Sequence, residues 1–211
     1  MSDSVAKKIY IIRHGETDYN KAGVVQGRGI NADLNETGKA QGIAFYEMYK
    51  DVPFDKLYTS TLKRTHQTTQ KFIDAGLPWE QLSGLDEMAW GKQEGKIIST
   101  EVRAEFKHLI DAWNNGEYDE KPDGGESPNE VCARQKEAMD YIVSKSNEQT
   151  ILICMHGRAM RLLLSQLTGR PLSDMDHFPH QNTSLYILEY ADGKFEIDTF
   201  NSLEHLENLK K

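Results

Sequence analysis

Two stretches of the sequence, KIYIIRHG at residues 8–15 and TILICMHG at residues 150–157, have the same form. Each is an apolar run of the length of a buried strand, and each ends in a histidine followed by glycine, which lets the backbone pass close to a ligand. In open α/β sheets, ligands bind beyond the carboxyl ends of the strands. The pattern therefore predicts that His14, with Arg13 before it, and His156 meet at one binding site.

The rest of the sequence alternates strand and helix patterns. Ser127-Pro128-Asn129-Glu130 is a capping box that fixes the start of one helix, and Ala191-Asp192-Gly193 is typical of a hairpin turn. Helices are predicted over residues 35–49, 60–74, 100–113, 127–145 and 157–167, and strands over 8–12, 56–58, 150–155, 183–190 and 194–200. This alternation is typical of a layered α/β domain with a largely parallel sheet.

Length and composition predict a single globular domain over residues 1–211. The chain has 38% hydrophobic and 27% charged residues, which is neither a disordered nor a membrane composition. No apolar run approaches the ~20 residues that a spanning helix needs. The first ten residues, MSDSVAKKIY, lack the apolar core of a secretory signal. We therefore expect a cytoplasmic protein with no membrane partner.

The charge balance excludes most nucleic-acid binders. Lys and Arg number 25 against 33 Asp and Glu, a formal net charge of −8, and no basic cluster stands out beyond the pair Lys210-Lys211. Proteins that bind nucleic acid usually carry a basic face. An acidic protein that handles an anion has to concentrate its positive charge in one pocket.

Further residues suited to such a pocket follow a third predicted strand. Arg64 lies near the start of the helix predicted after Tyr58, where it could share a phosphate with Arg13 through its guanidinium fork. Asp86 and Glu87 lie between apolar neighbours, where desolvation favours a carboxyl that donates a proton. The local sequence leaves open which of these two acids has that role.

At this point a family resemblance becomes visible. Arg13-His14-Gly15-Glu16-Thr17, with Asn20 and Gln26-Gly27 after it, resembles the signature of the histidine phosphatase superfamily, phosphoglycerate mutase-like branch. Four further segments match in order: residues 60–65, Glu87 with Gly91 and Glu94-Gly95, residues 124–127, and residues 155–157. The resemblance implies a three-layer α/β/α sandwich with a mostly parallel central sheet and a small helical cap inserted at about residues 96–125 over the active site.

The resemblance also implies roles for single residues. His14 would be the nucleophile that becomes phosphohistidine, and Glu87 would protonate the leaving alcohol. The phosphoryl group would be held by Arg13, Arg64 and an imidazolium at His156, with phosphate contacts also from Asn20, Gln26, Gly27 and Gly157. Two guanidiniums and an imidazolium could stabilise the charge that Mg²⁺ stabilises elsewhere, so no metal or cofactor is expected. His180 precedes a strand near the second histidine and is predicted to line the substrate mouth.

Within the family, the sequence favours a phosphatase over a cofactor-dependent phosphoglycerate mutase. A mutase usually has an arginine pair soon after the proton-donor motif, whereas Gly95 is followed here by Lys96-Ile97-Ile98-Ser99-Thr100-Glu101-Val102-Arg103. A small phosphorylated metabolite is the expected substrate. The alternative that is not an enzyme is an inactive module that binds phosphorylated ligands. The sequence leaves the oligomeric state open.

Two rival chemistries fit the spacing poorly. A cysteine phosphatase needs Cys, five residues and then Arg, but Arg161 lies one position too far from Cys154. Both cysteines, Cys132 and Cys154, are therefore expected to be reduced and buried. His177 and His180 could suggest a metal site, but no carboxylate or thiol stands at ligand spacing to complete it.

Overall fold

A six-stranded mixed sheet forms the centre of the computed structural model, which describes residues 6–210, without the side chains of Asn208 and Lys210. Along the sheet the strands follow the order β3-β2-β4-β1-β5-β6. The first four are mutually parallel, while β5 runs antiparallel to β1 and to β6. The strands are β1 (Lys7–Arg13), β2 (Lys56–Thr59), β3 (Trp79–Gln81), β4 (Thr150–Met155), β5 (Leu185–Ala191) and β6 (Lys194–Ser202).

Seven α-helices are described around this sheet. They are α1 (Asp18–Lys21), α2 (Glu36–Tyr49), α3 (Lys63–Thr68), α4 (Gln70–Asp74), α5 (Thr100–Asn114), α6 (Pro128–Val143) and α7 (Gly157–Leu167), with 3₁₀ segments at Ser83–Leu85, Gly91–Gln93, Leu172–His177 and Glu204–Lys210. Within the described part of the chain, none of them has the length and apolar character of a membrane span. The predictions made on residues 1–5 and on Lys211 lie outside the described residues.

Alternating side chains of β1 divide the core into two faces and confirm the three-layer α/β/α arrangement. Ile9 and Ile11 pack with residues of α6 and α7, whereas Tyr10 and Ile12 pack on the other face with aromatic side chains of α2 and α4. This alternation is what the period of a strand imposes, because successive side chains point to opposite faces. Helices therefore cover both faces, which is why the central strands β1 and β4 carry unbroken apolar runs, unlike the edge strand β6, which alternates.

A third apolar cluster holds α5 against the body of the protein. Trp113 is fully buried there with Met88 and Trp90, beside Val131 of α6 and Leu162 of α7. The Trp113 indole also donates a hydrogen bond to the Glu120 carbonyl oxygen, at 2.9 Å. This packing places α5 beside the segment that carries Glu87. That residues 1–211 form one domain stays a prediction.

Several local predictions are confirmed at the level of single residues. The capping box at Ser127 is formed, and α7 has the predicted bounds. The predicted hairpin is present, and its turn lies at Asp192 and Gly193. Their φ angles of 51° and 77° are those of a tight two-residue turn.

The single helix predicted over residues 60–74 is wrong. The structure has α3 and α4 with a break at Thr69, whose φ and ψ are −103° and 13°. The Thr68 hydroxyl donates to the Arg64 carbonyl oxygen at 2.6 Å, and the Thr69 hydroxyl donates to that of Thr65 at 3.1 Å. Such local bonds compete with the helical ladder and distort it. The sequence does not predict the short elements α1 and β3, because three or four residues are too few to show a hydrophobic periodicity.

Candidate active site

The carboxyl ends of β1 and β4 bring His14 and His156 together. In the parallel register of these strands Ile12 lies beside Cys154 and Arg13 beside Met155, so both chains leave the sheet at the same level. The His14 amide then donates to the Met155 carbonyl oxygen at 2.9 Å. Both imidazoles are buried, and their ring centroids lie 5.2 Å apart.

The His14 ring is held in one neutral tautomer. Its Nδ1 lies 2.7 Å from the Gly15 carbonyl oxygen, which can only accept, so Nδ1 carries the hydrogen and Nε2 keeps the lone pair. Burial, with the positive charges of Arg64 and Arg13, holds the pKa of His14 well below its usual range. The ring is therefore neutral, with an unprotonated Nε2, and the charges of two arginines act on it.

Gly15 and Thr68 support this arrangement from behind. The Gly15 amide donates to the Thr68 hydroxyl oxygen at 2.8 Å, and that hydroxyl donates onward to α3. A β-carbon on Gly15 would lie 2.5 Å from the Gly38 carbonyl oxygen of α2, so only glycine fits after the histidine. Sequence analysis did not single out Thr68, because its partner lies in a distant part of the chain.

Arg64 and Arg13 supply two guanidiniums near His14, of which Arg64 is fully buried and Arg13 half-buried. Arg64 is fully buried and donates to the carbonyl oxygens of Ile30, at 2.6 Å, and Gly27, at 3.3 Å. The Nε of Arg13 is buried and has no hydrogen-bond partner among the described residues. Burial lowers the pKa of both groups to about 10, opposed by the charge of Glu87, so both stay protonated at neutral pH. The positive charge of this acidic protein is thus concentrated where the sequence predicted it.

His156 is neutral, which differs from the imidazolium expected from the sequence. Arg64 Nε donates to His156 Nδ1 at 3.1 Å, so that nitrogen carries the lone pair. His156 Nε2 then carries the hydrogen and lies 2.7 Å from the Ser60 hydroxyl oxygen. Burial and the charge of Arg64 lower the pKa of His156 well below its usual range. The ring offers a neutral N–H donor in place of a full charge.

Glu87 and Asp86 have different surroundings, although both are buried. The Glu87 carboxylate accepts three backbone N–H groups: Oε1 from Met88 and Ala159, both at 2.8 Å, and Oε2 from Arg158 at 3.1 Å. It therefore lies at the amino end of α7, directly after His156, where the helix dipole favours a negative charge. Its charge also acts on both Arg13 and Arg64.

Asp86 is instead engaged in holding the loop after β2. Its Oδ1 accepts from the Thr61 amide and hydroxyl, both at 2.8 Å, and its Oδ2 accepts from Arg28 Nε at 3.1 Å. Glu87, by contrast, binds the amino end of the helix that follows His156. The two acids, which the sequence leaves equivalent, therefore differ in their partners.

Arg134 and Glu126 hold the backbone of the segment that carries Glu87. Arg134 donates to the carbonyl oxygens of Asp86, at 2.9 Å, and Glu87, at 3.1 Å, and it pairs with Glu126 at 2.9 Å. Glu126 also accepts from the Ala89 amide at 2.8 Å. The carboxylate in the Gly124-Gly125-Glu126-Ser127 motif therefore positions the Glu87 segment from the outside.

A family comparison agrees with this geometry. The sequence model described as the histidine phosphatase superfamily (branch 1) matches residues 9–203. The chain belongs to this superfamily.

Individual relatives in the superfamily carry more than one activity in their names. A metal-independent phosphoserine phosphatase of Arabidopsis thaliana is 28% identical over 216 residues, covering 98% of this chain and 86% of that protein. A probable phosphoglycerate mutase of Erwinia tasmaniensis is 28% identical over 210 residues, 95% of each chain. The solved structure of Bacillus stearothermophilus YhfR matches with a TM-score of 0.83 and 27% identity, covering 95% of this chain and 100% of that one.

The remaining residues of the superfamily signature organise the first loop. Asn20 Oδ1 accepts from the Thr17 amide and from Asn182 Nδ2, both at 3.2 Å, and the Thr17 hydroxyl donates to Gln26 Oε1 at 3.0 Å. A β-carbon on Gly27 would lie 2.2 Å from Glu94 Oε1, so glycine is required where this loop passes the Glu87 segment. Asn20 and Gln26 thus brace the loop whose Gly27 carbonyl binds Arg64.

His180 lies against Arg13 and Gly157. Its Nδ1 accepts from Arg13 Nη1 at 3.2 Å, and burial together with Arg13 lowers the pKa of His180 to about 2. A β-carbon on Gly157 would lie 2.5 Å from His180 Cε1. Gly157 therefore makes the space in which a neutral His180 orients Arg13.

Replacing Gly157 with alanine should displace His180 and, through it, the Arg13 fork. We expect Gly157→Ala to raise KM for an aryl phosphate by about tenfold, because a misplaced guanidinium weakens phosphate binding. Steady-state kinetics check this, with His180→Ala as the comparison. The double variant should match His180→Ala alone; a further tenfold loss in the double variant, or an unchanged KM in both single variants, would contradict the argument.

The rival chemistries have no support in this arrangement. Cys154 is fully buried, and burial raises the pKa of its thiol far above the usual range; the pKa of Cys132 is raised to about 11 for the same reason. A thiol that resists ionisation is a poor nucleophile. Across residues 6–210, no three His, Cys, Asp or Glu side chains converge in a way that could hold a metal ion.

Proposed function

We propose that the chain is a metal-independent phosphomonoesterase that hydrolyses a small phosphorylated metabolite through a phosphohistidine on His14. The observation that carries the proposal is the His14 ring: Nδ1 is bound to the Gly15 carbonyl oxygen, Nε2 is left unprotonated, and the charges of Arg64 and Arg13 act on the ring. A phosphoryl group needs that combination of an in-line nucleophile and fixed positive charge. Arg13 Nε, buried and without a described partner, is a donor suited to a phosphoryl oxygen.

In the first half of the proposed reaction, His14 Nε2 attacks phosphorus and the ester P–O bond breaks. Arg13 and Arg64 balance the charge on the phosphoryl oxygens, and His156 can add its Nε2–H as a donor when that hydrogen turns from Ser60 to the substrate. Glu87 gives a proton to the departing alkoxide, which leaves as an alcohol. Glu87 Oε2 accepts a single weak backbone bond, so it is the oxygen with room for that proton.

In the second half, water attacks the phosphohistidine. The Glu87 carboxylate takes a proton from the attacking water, the N–P bond breaks, and inorganic phosphate leaves. The electron pair of that bond returns to Nε2, which restores the neutral tautomer of His14. One water is consumed for each ester, and Glu87 regains the proton that it gave to the alcohol.

Hydrolysis is favoured over the mutase reaction by the segment after Gly95. A mutase has to return the phosphoryl group to a second hydroxyl of its substrate. It therefore has to bind the substrate carboxylate firmly and exclude water. The sequence from Lys96 to Arg103 lacks the arginine pair expected for that binding. Superfamily relatives are named for both activities, and the phosphatase name fits this chain better.

Substrate choice is assigned, within the same proposal, to a cap formed by about residues 96–125. In support, α5 packs beside Trp90, three residues from Glu87, and the Arg158 guanidinium lies about 6 Å from the Trp90 and Trp113 ring centroids. Pockets for small molecules are commonly lined with such aromatic groups. These residues indicate a small-molecule pocket without identifying the metabolite. The cytoplasmic compartment stays a prediction from the sequence.

Phosphate release measured in EDTA tests the proposal. The panel is an aryl phosphate, phosphoserine, 3-phosphoglycerate and sugar phosphates. We expect undiminished release in EDTA and inhibition by vanadate, which can adopt the five-coordinate geometry of the transition state. Loss of activity in EDTA that added metal restores would overturn the metal-free mechanism.

Two further outcomes separate the alternatives. Conversion of 3-phosphoglycerate into 2-phosphoglycerate in amounts equal to free phosphate would favour a mutase. Thermal stabilisation by inorganic phosphate without release from any ester would favour a binding module, since a ligand that binds the native state raises Tm without turnover.

A further inference from the structure

The polar segment after β6 buries one imidazole in the protein. The sequence of residues 202–211 is polar and contains no motif that indicates chemistry. In the structure the 3₁₀ segment Glu204–Lys210 places His205 with 2% exposure against α2. The His205 ring meets Phe45 edge to face, with centroids 5.2 Å apart, and Tyr49 at 6.4 Å.

This imidazole makes one directed contact, with Thr183. The Thr183 hydroxyl donates to the Asn182 carbonyl oxygen at 2.8 Å, so it receives the hydrogen of His205 Nε2, which lies 3.0 Å away. His205 Nδ1 is buried and has no hydrogen-bond partner among the described residues, as suits a bare lone pair. Burial lowers the pKa of His205 to about 4, so the neutral donor is the form present at neutral pH.

Thr183 holds the backbone of the two residues at the centre of the site. Its amide donates to the carbonyl oxygens of Arg13, at 3.1 Å, and His14, at 3.4 Å. The neighbouring Asn182 side chain donates to the same His14 carbonyl oxygen at 3.1 Å. We name residues 181–184 the brace turn. The brace turn therefore holds the carbonyl groups of Arg13 and His14.

The conformation of Thr183 needs outside support. Its φ of 58° lies in the left-handed region, where a β-branched residue is a strained exception. Such a residue keeps its conformation only where surrounding contacts determine it. Thr183 is fully buried, and His205 supplies the hydrogen bond that reaches its side chain from outside the brace turn.

We propose that His205 is a positioning residue: its hydrogen bond to Thr183 keeps the brace turn in the conformation that aims His14 at the phosphoryl group. The inference rests on the proposed phosphohistidine reaction and adds the C-terminal segment to its machinery. Loss of the bond lets Thr183 relax toward ordinary backbone angles, which frees the Arg13 and His14 carbonyl groups. The nucleophile then loses alignment while the guanidiniums keep their own partners.

Two substitutions of His205 separate positioning from packing. His205→Phe keeps a ring against Phe45 and removes the donor, whereas the amide nitrogen of His205→Gln reaches the place of Nε2. For His205→Phe we expect kcat with an aryl phosphate to fall about tenfold or more with KM within about twofold, because alignment affects the chemical step. His205→Gln should recover most of that loss. Ile142→Val, a core change on the opposite face of the sheet, controls for lost stability and should lower Tm without lowering kcat.

A partner variant completes a double-mutant cycle. Thr183→Val removes the acceptor and should lower kcat as much as His205→Phe does, and the double variant should lose no more than either single variant. The proposal is overturned if His205→Phe keeps the wild-type kcat, if Gln rescues nothing, or if the two losses multiply.

A spectroscopic readout keeps the inference distinct from the proposed function. The ¹⁵N chemical shifts of the His14 ring report its tautomer, and we expect the Nδ1–H form in the wild type and a tautomer mixture in His205→Phe. If the wild-type protein releases no phosphate, the proposed function fails while these shifts still test the contact. Unchanged His14 shifts in a folded His205→Phe variant would overturn the positioning role whatever the activity.

Discussion

Replacing His14 with alanine is expected to abolish phosphate release, with kcat reduced by about 10⁴-fold or more. No other nucleophile is placed to substitute. The His156 ring has its Nδ1 lone pair occupied by Arg64, and the Cys154 thiol is buried with a pKa far above its usual range. Rapid-quench trapping of a labelled phosphoenzyme measures the same step directly. The wild type should give an acid-labile, base-stable phosphoprotein, and His14→Ala should give none.

The matched control is His177→Ala, which removes an exposed histidine outside the site. That variant should keep the wild-type kcat. The His14 variant should also keep a vanadate- or phosphate-induced rise in Tm, because Arg13 and Arg64 remain. If His14→Ala retained a tenth of the wild-type rate, the phosphohistidine mechanism would be wrong.

Replacing Glu87 with glutamine should have the second largest effect, and one that depends on the substrate. A glutamine cannot protonate a departing alkoxide, so kcat for alkyl phosphates should fall about 10³-fold, within the range that general acids contribute. An aryl phosphate with a good leaving group needs little protonation, and its kcat should fall by less than about tenfold. Measuring kcat across leaving groups of graded pKa gives the slope that reports on proton donation.

Asp86→Asn is the matched control for that experiment. Asp86 is as deeply buried as its neighbour, but it holds Thr61 and Arg28. Its substitution should lower Tm and should lower kcat for all substrates by one common factor. Equal losses for alkyl and aryl phosphates in Glu87→Gln would show that Glu87 is not the proton donor.

The parts of the site that could be predicted from sequence are those fixed by local patterns. Apolar runs ending at Arg13-His14 and at His156 indicated two parallel strands, and strand geometry places their ends together. Ser127 and Glu130 fixed a helix start because a capping box is a local interaction. The alternation of strands and helices was enough for a layered α/β domain with a largely parallel sheet, and the family resemblance added the three-layer form.

The parts that could not be predicted depend on contacts between distant segments. The tautomer of His14 follows from the Gly15 carbonyl oxygen, but the backbone around it is held by Thr68, at the Gly15 amide, and by Thr183, at the Arg13 and His14 carbonyl oxygens. The neutral state of His156 depends on which nitrogen Arg64 contacts. Asp86 and Glu87 are adjacent in an apolar segment, so no local property distinguishes them. His205 gave no pattern at all, because its partner is a single hydroxyl.

The position of β1 between β4 and β5 also has a consequence for how the protein is synthesised. Strand β1 leaves the ribosome without either of its neighbours, and Ile9, Ile11 and Ile12 lack their sheet until residues 150–191 have been made. Long-range pairing of this kind slows folding and leaves apolar strand edges exposed in the meantime. A nascent chain of this protein therefore depends on chaperones until β4 and β5 have been made, and His14 and His156 come together only then.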